Sequence, residues 1–159
     1  MKLEFIVIGK IKENYLKEGI KDYSARLSRG FDFSITEIAE QRVPEGYSVG
    51  DMRQILAVEE ASIRKVLREK SFKIVMAIEG KELSSPDYAK MLETKMANGV
   101  SDVQIIIGST LGVSQALKEE ADFLFSLGKP TYPHQLMRLI ILEQTYRAMK
   151  IMRNEKYHN

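Results

Sequence analysis

With 159 residues, 44% of them apolar and 29% charged, the chain has the size and composition of one globular domain able to bury a core. The absence of cysteine excludes disulfides, thiolate metal sites and a cysteine nucleophile, and two histidines are too few for a histidine-rich centre, so no metal is expected. The net charge of +2 is small but uneven: residues 1–30 hold seven Lys/Arg against four Asp/Glu, residues 131–159 hold five against two, and the residues between them hold twelve against sixteen.

The chain opens with an apolar, β-prone run, Leu3–Ile8, which predicts a buried strand. Glu4 interrupts this run, which is too short for a signal peptide, and no segment reaches the ~20 apolar residues of a membrane span; a cytosolic protein is expected. Asn14 can cap a helix to about Ser28, with Leu16, Ile20, Tyr23 and Leu27 as its apolar stripe and Gly30 just beyond. Phe31, Phe33 and Ile35 alternate with polar residues and predict a second strand. Pro44, Gly46 and Gly50 mark a loop over Arg42–Gly50. A helix from about Asp51 to Glu69 follows, with Met52, Leu56, Ile63 and Leu67 on one face. The continuous apolar run Ile74–Ile78 predicts a central strand covered on both faces, and Glu79–Ser84 a loop. Ser85 and Pro86 start a third helix that stops at Asn98 and Gly99. Val103–Ile107 is another buried strand, Gly108–Ser114 a small-residue loop, Gln115–Glu120 a short helix and Phe123–Leu127 the last strand. A long helix from about His134 to Arg153 closes the chain. This alternation predicts a single α/β domain with a mostly parallel sheet, without repeat or linker.

Ligands of open α/β sheets bind beyond the carboxyl ends of the strands. Three predicted loops leave such ends: Glu79–Ser84, Gly108–Gly112 and Gly128–Pro133. Glycine at the first position of GSTLG either makes a simple turn or lets a flat ligand approach the backbone. Neither a dinucleotide fingerprint nor a phosphate-loop lysine is present. The LGKPTYPH segment is stiffened by two prolines; it is either a rigid connection or a preformed wall with free backbone donors and acceptors. The closing helix is apolar around most of its circumference, which requires a second cover: the protein's own core or a partner subunit. Glu143 and Arg147 are spaced as a surface ion pair, His134 as a capping or packing residue, and Tyr157-His158 stands where chain ends usually fray. Should the two chain ends meet in space, they would form a basic face suited to a polyanion; otherwise the lysines are scattered and solvated.

The run PHQLMRLIILEQTYRAMKIMRNEKYH, preceded by an Ile-Gly-x-x-x-Gly loop, resembles the bacterial RlmH family over the whole chain. The resemblance implies a knotted SPOUT fold with a C-terminal trefoil knot, a homodimer, S-adenosyl-L-methionine as methyl donor, and methylation of N3 of a pseudouridine in 23S rRNA of the assembled ribosome. By matching position it places cofactor contacts at Met76, Gly108, Leu127, Gly128, Lys129, Pro130, Thr131 and Tyr132. The attacked imide nitrogen must lose a proton; a nearby base, or a cation stabilising the imidate, would help, and His158, Tyr157 and Arg147 are the candidates. Ser109 stands where the family often has glycine, and Asn159 where it often has a basic residue. Two other readings compete. One is a non-catalytic ribosome- or RNA-binding module on the same scaffold; the other is a small enzyme acting on free nucleotides.

Overall fold

A computed structural model describes residues 1–157. Its elements are β1 (Lys2–Ile8), α1 (Asn14–Leu27), β2 (Asp32–Ile38), α2 (Val49–Arg64), β3 (Phe72–Glu82), α3 (Ser85–Ala97), β4 (Asp102–Ile107), α4 (Gln115–Glu119), β5 (Phe123–Ser126) and α5 (His134–Met152). The strands form one sheet in the order β2-β1-β4-β3-β5, with every neighbouring pair parallel. The expected α/β class is therefore observed.

The period of two along a strand divides the core. Leu3, Phe5 and Val7 of β1, with Ile105 and Ile107 of β4, face Leu27, Leu92, Ile141 and Leu142 of α1, α3 and α5. Ile6, Ile8 and Ile106 face Ile63 of α2 and Leu117 of α4 on the other side. Both faces of the central strands are thus covered, which is why β1 and β4 are apolar on both faces apart from the buried Glu4 and Gln104.

Five local expectations are corrected. The residue capping α1 is Glu13, in extended conformation without a side-chain bond, and Asn14 is already helical. Helix α2 begins at Val49 under a reciprocal capping box of Ser48 and Asp51, and it ends at Arg64, five residues before Glu69. Its buried stripe is Ile55, Glu59 and Ile63, at i, i+4 and i+8; a carboxylate in the middle hid this stripe in the sequence. Ser84, not Ser85, caps α3. Finally, β3 continues through the predicted loop to Glu82. Met76 and Lys81 both register with Phe125, so residues 77–80 bow out of the ladder before pairing resumes. Gly80 permits the return, since a Cβ there would lie 2.7 Å from the backbone of Leu124.

The two ends of the chain do meet, because α1 packs on α5. Their charge is largely neutralised there: Arg26 pairs with Asp22, Arg147 with Glu143 and Lys150 with Glu155, while Arg138 is buried. Among the described residues, Lys10, Lys12, Arg42 and Lys129 are exposed and make no ion pair. All four follow the carboxyl ends of strands and make that edge basic; among the described residues Lys17, Lys21 and Arg29, on and just after α1, are likewise exposed without an ion pair.

Candidate active site

A pocket of about 310 Å³ opens where β3, β4 and β5 end. Its floor is apolar: Met76, Ile107, Val113, Phe125 and Met137. Its walls are the bowed segment 77–79, the loop 108–112, residues 126–128 and 130–132, and the start of α5 at His134. An apolar slot rimmed by backbone donors and acceptors is the usual form of a small-molecule site.

Each wall is held by identifiable bonds. The Gly112 N–H donates to the Ser109 carbonyl (2.9 Å), closing a tight turn in which Gly112 has φ +84°. A Cβ on Gly108 would lie 2.2 Å from the Gly112 carbonyl oxygen and 2.8 Å from Val113. The space beside Gly108 is thus filled by its own loop, although Gly108 also lines the pocket. The Ser109 hydroxyl donates to Glu59 (2.9 Å), fastening the loop to α2. Burial pushes the Glu59 carboxyl up, against the bonds from Ser109 and Gln41 that favour its charge. In the third wall the Ser126 hydroxyl accepts from Gly128 N–H (3.1 Å) and lies 3.1 Å from the Ile78 carbonyl, joining this loop to the bow in β3. Gly128 sits at φ +101°, open to glycine and to few other residues. Across the mouth, Lys118 binds Glu79 at 2.6 Å.

At the start of α5, His134 Nδ1 lies 3.3 Å from Thr110 Oγ1. Its Nε2 is buried, has no hydrogen-bond partner among the described residues, and stands 3.6 Å from a Glu40 oxygen. Desolvation pushes the imidazole pKa below its ordinary value, although Glu40 pulls the other way. One turn later the buried Arg138 donates to the carbonyls of Ile8 and Gly9 (3.0 Å each) and reaches Glu37 at 3.3 Å. The end of β1 is thereby pinned to the helix that closes the pocket.

The sequence-predicted residues fall into two groups. Met76, Gly108, Leu127, Gly128, Pro130, Thr131 and Tyr132 converge on the pocket, whereas Lys129 is exposed and is not part of its lining. Arg147 and Tyr157 meet elsewhere. The Tyr157 ring sits under the Arg147 guanidinium at 4.8 Å and packs edge-on against Tyr146 at 4.9 Å. Its hydroxyl approaches Tyr23 (3.3 Å) and Glu143 (3.5 Å), and burial, with Tyr23 beside it, pushes its pKa up. At 1.5 Å per residue, Glu143 is roughly 13 Å along α5 from His134. None of these tail contacts lines the pocket. His158 lies outside the described residues. His134, Thr110 and the Lys118–Glu79 pair were missed as site residues; the one signal was a histidine directly after proline at a helix start, facing arginine at i+4.

A family model described as "Predicted SPOUT methyltransferase" matches residues 1–158. The chain belongs to the SPOUT methyltransferase family. Proteins called ribosomal RNA large subunit methyltransferase H are 46% identical to it in Bifidobacterium adolescentis and 44% in Streptococcus gordonii, each over 99% of both chains. Among solved structures, a probable methyltransferase from Bordetella pertussis Tohama I shares the fold with TM-score 0.53 at 13% identity, covering 93% of this chain and 96% of that one. A probable methylase family protein from Haemophilus influenzae gives 0.52 at 10%, covering 99% of this chain and 70% of the other. The protein is thus a methyltransferase, and its strand-end pocket is where its chemistry is sought. Among the described residues no group of His, Cys, Asp or Glu is placed to hold a metal, and no helix is long and apolar enough to cross a membrane.

Proposed function

We propose that this methyltransferase moves a methyl group from S-adenosyl-L-methionine to N3 of a pseudouridine in 23S rRNA of the assembled ribosome, acting as a homodimer. The observation that carries this reading is the strand-end pocket, in which seven of the eight expected cofactor residues converge. Two full-length relatives bear the name of a large-subunit rRNA methyltransferase. The pocket fits the donor's chemistry: an apolar floor for a flat heteroaromatic ring and glycine-bearing loops whose backbone groups can bind its polar edge. When bound, S-adenosylmethionine supplies an already activated methyl group, so positioning dominates what the protein must add. Met76 and Phe125 exclude water from below, and the 126–132 loop, stiffened by Pro130, holds a fixed wall. Lys10, Lys12, Arg42 and Lys129, unpaired on the same edge, suit RNA phosphates.

Homodimerisation is supported by α5. Leu136, Leu139 and Ile140 are only partly covered within the chain, and Tyr15 on the adjoining α1 is 65% exposed. The anchored Tyr157 lies on this α1–α5 side and not at the protein's own pocket. We therefore assign the tail, Tyr157 and His158, to the pocket of the partner subunit, where a tyrosine can stack on a base. The C-terminal trefoil knot, formed by the loops at residues 108–113 and 126–133 with α5, belongs to the same reading.

The test is methyl transfer from tritiated S-adenosylmethionine to assembled ribosomes, separated subunits and naked RNA. Label should enter intact ribosomes and little should enter naked RNA. Equal labelling of naked RNA would remove the assembly requirement. Donor affinity or labelling absent from all three would leave a non-catalytic binding module, and labelling of free nucleosides a nucleotide enzyme.

A further inference from the structure

Thr110 belongs to two cavities. It lines the pocket described above, and it lines a shallower recess of about 370 Å³ formed with Glu40, Gln41, Arg42 and Val43 after β2. Thr110 stands between the two; His134, on the side of the first, lies 3.3 Å from Thr110 and 3.6 Å from Glu40, which lines the second. We propose that this recess seats the acceptor uracil ring and that His134 Nε2 takes its imide proton. The inference rests on the donor and acceptor assigned under Proposed function.

The first argument is adjacency. In a direct methyl transfer the attacking nitrogen lies within a few ångströms of the methyl carbon. The acceptor's seat must therefore share a wall with the donor's, and the recess shares Thr110. The second is complementarity. The Watson–Crick edge of a uracil presents carbonyl, N–H, carbonyl, so its seat needs donor, acceptor, donor. With Nδ1–H donating to Thr110 Oγ1, the Thr110 hydroxyl proton can point outward to one carbonyl, and Nε2 keeps its lone pair for the N–H. The exposed Arg42 guanidinium stands at the recess for the other carbonyl. The third is the orphaned atom. A buried ring nitrogen without a partner is costly unless a ligand supplies one. At 3.6 Å, Glu40 is too distant for a direct hydrogen bond, but near enough to stabilise an imidazolium. Glu40 makes no hydrogen bond among the described residues, and its half-buried side chain must turn aside for the ring.

The step balances as follows. The imide proton passes to His134 Nε2, and the N–H bonding pair becomes the nitrogen lone pair. That pair forms the N–C bond to the methyl carbon while the C–S bond breaks and its electrons pass to sulfur. The positive charge of the sulfonium donor is lost as the imidazolium is gained. Burial holds His134 neutral near pH 7, as a base must be; Glu40 favours the imidazolium, whereas Arg138 on the same helix and Lys12 after β1 oppose it.

The experiment measures the pH dependence of single-turnover methyl transfer to ribosomes, with donor affinity measured in parallel by calorimetry. Wild type should lose rate on the acid side as His134 protonates, below the ordinary histidine value of ~6.5. His134→Asn should bind the donor within about threefold of wild type, lose roughly 10²–10⁴-fold in rate and show no acid limb. Glu40→Gln, at an exposed position that does not threaten folding, should move the acid limb to lower pH. His158→Ala should keep the limb where it is. Wild-type turnover by His134→Asn, or an acid limb that neither His134→Asn nor Glu40→Gln alters, would overturn the inference while the methyltransferase reading stands. A parallel loss of donor affinity and rate in His134→Asn would make His134 only a wall of the donor pocket, and would overturn it as well. Wild type inactive on every RNA would overturn both.

Discussion

Ser109, in the loop after β4, is fixed by what surrounds it. The hydroxyl satisfies Glu59, which is 2% exposed and has one other hydrogen bond among the described residues, from the Gln41 N–H at 3.4 Å. Ser109→Ala should therefore destabilise by about 1–3 kcal/mol, the cost of stranding a buried acceptor, read from urea unfolding. Glu59→Gln in that background should recover part of the loss. Burial raises the Glu59 pKa in the folded state, so its contribution is fully present below the unfolded value and is lost as pH rises through the folded one. The Ser109→Ala deficit should accordingly be larger at about pH 8 than at about pH 4. Gly108 teaches a different lesson. The sequence left open whether its bare Cα serves a turn or makes room for a ligand; the collision a side chain would suffer is with the Gly112 carbonyl, within the turn. Gly108→Val should displace the whole 108–113 turn, lowering thermal stability as well as donor affinity. A variant with unchanged melting temperature and lost affinity would restore the reading in which the bare Cα makes room for a ligand.

At the scale of elements, the apolar runs made β1, β3, β4 and α5 legible, because both-sided burial writes itself as near-continuous hydrophobicity. What escaped were features whose cause is another element. Helix α2 stops at Arg64, and Arg68 beyond it turns back to the amino-terminal edge of the sheet. There Arg68 binds Asp102 (2.5 and 2.6 Å) and Glu4, and its backbone N–H donates to Gln104 (2.9 Å). No local pattern announces that. Likewise the bow in β3 depends on where β5 resumes pairing, so that wall of the pocket was unreadable from the strand's own residues. Burial alone would raise the Glu4 pKa, but bonds from Thr36, Gln104 and Arg68 outweigh it and the net shift is downward; the Asp102 carboxyl is lowered first by its bond from Arg68. Both groups add stability above their unfolded values, and lose it as pH falls through the lowered folded ones. Arg68→Ala should cost about 3 kcal/mol near neutral pH, since it leaves two carboxylates without their cation. The gap to wild type should narrow as both are acidified below roughly pH 4. A gap that does not change with pH would remove the network from the stability of the fold.

The molecule as a whole poses the question of two subunits. Seven expected cofactor residues share one pocket, but Tyr157 and Arg147 share another place, and a single chain does not unite them. The light-scattering mass should be that of a dimer, with the α1–α5 face protected from hydrogen exchange. Deleting residues 157–159 should spare donor binding and dimerisation but abolish methyl transfer. Mixing that variant with Gly108→Val, which damages the pocket but keeps the tail, should restore part of the activity, because each heterodimer then holds one complete site. A dead mixture from two dimeric variants would place the tail's work in its own subunit; a tail-deleted enzyme at full turnover would make the tail dispensable.

The strand order also has a history to impose during synthesis. β4 is inserted between β1 and β3: one edge of β1 pairs early with β2, where Lys2 registers with Asp32, but on the other edge Lys2 waits for Asp102. Until that residue has left the ribosome, Leu3–Val7 on one side and Ile74–Val75 on the other present bare apolar edges that nothing local can close. Contacts so distant along the chain fold slowly, and nascent fragments with such edges aggregate. Chains ending before Asp102 should therefore be insoluble, and those reaching past Ile107 progressively less so. A soluble, ordered fragment of residues 1–101 would show that β1 and β3 can be satisfied without their shared neighbour.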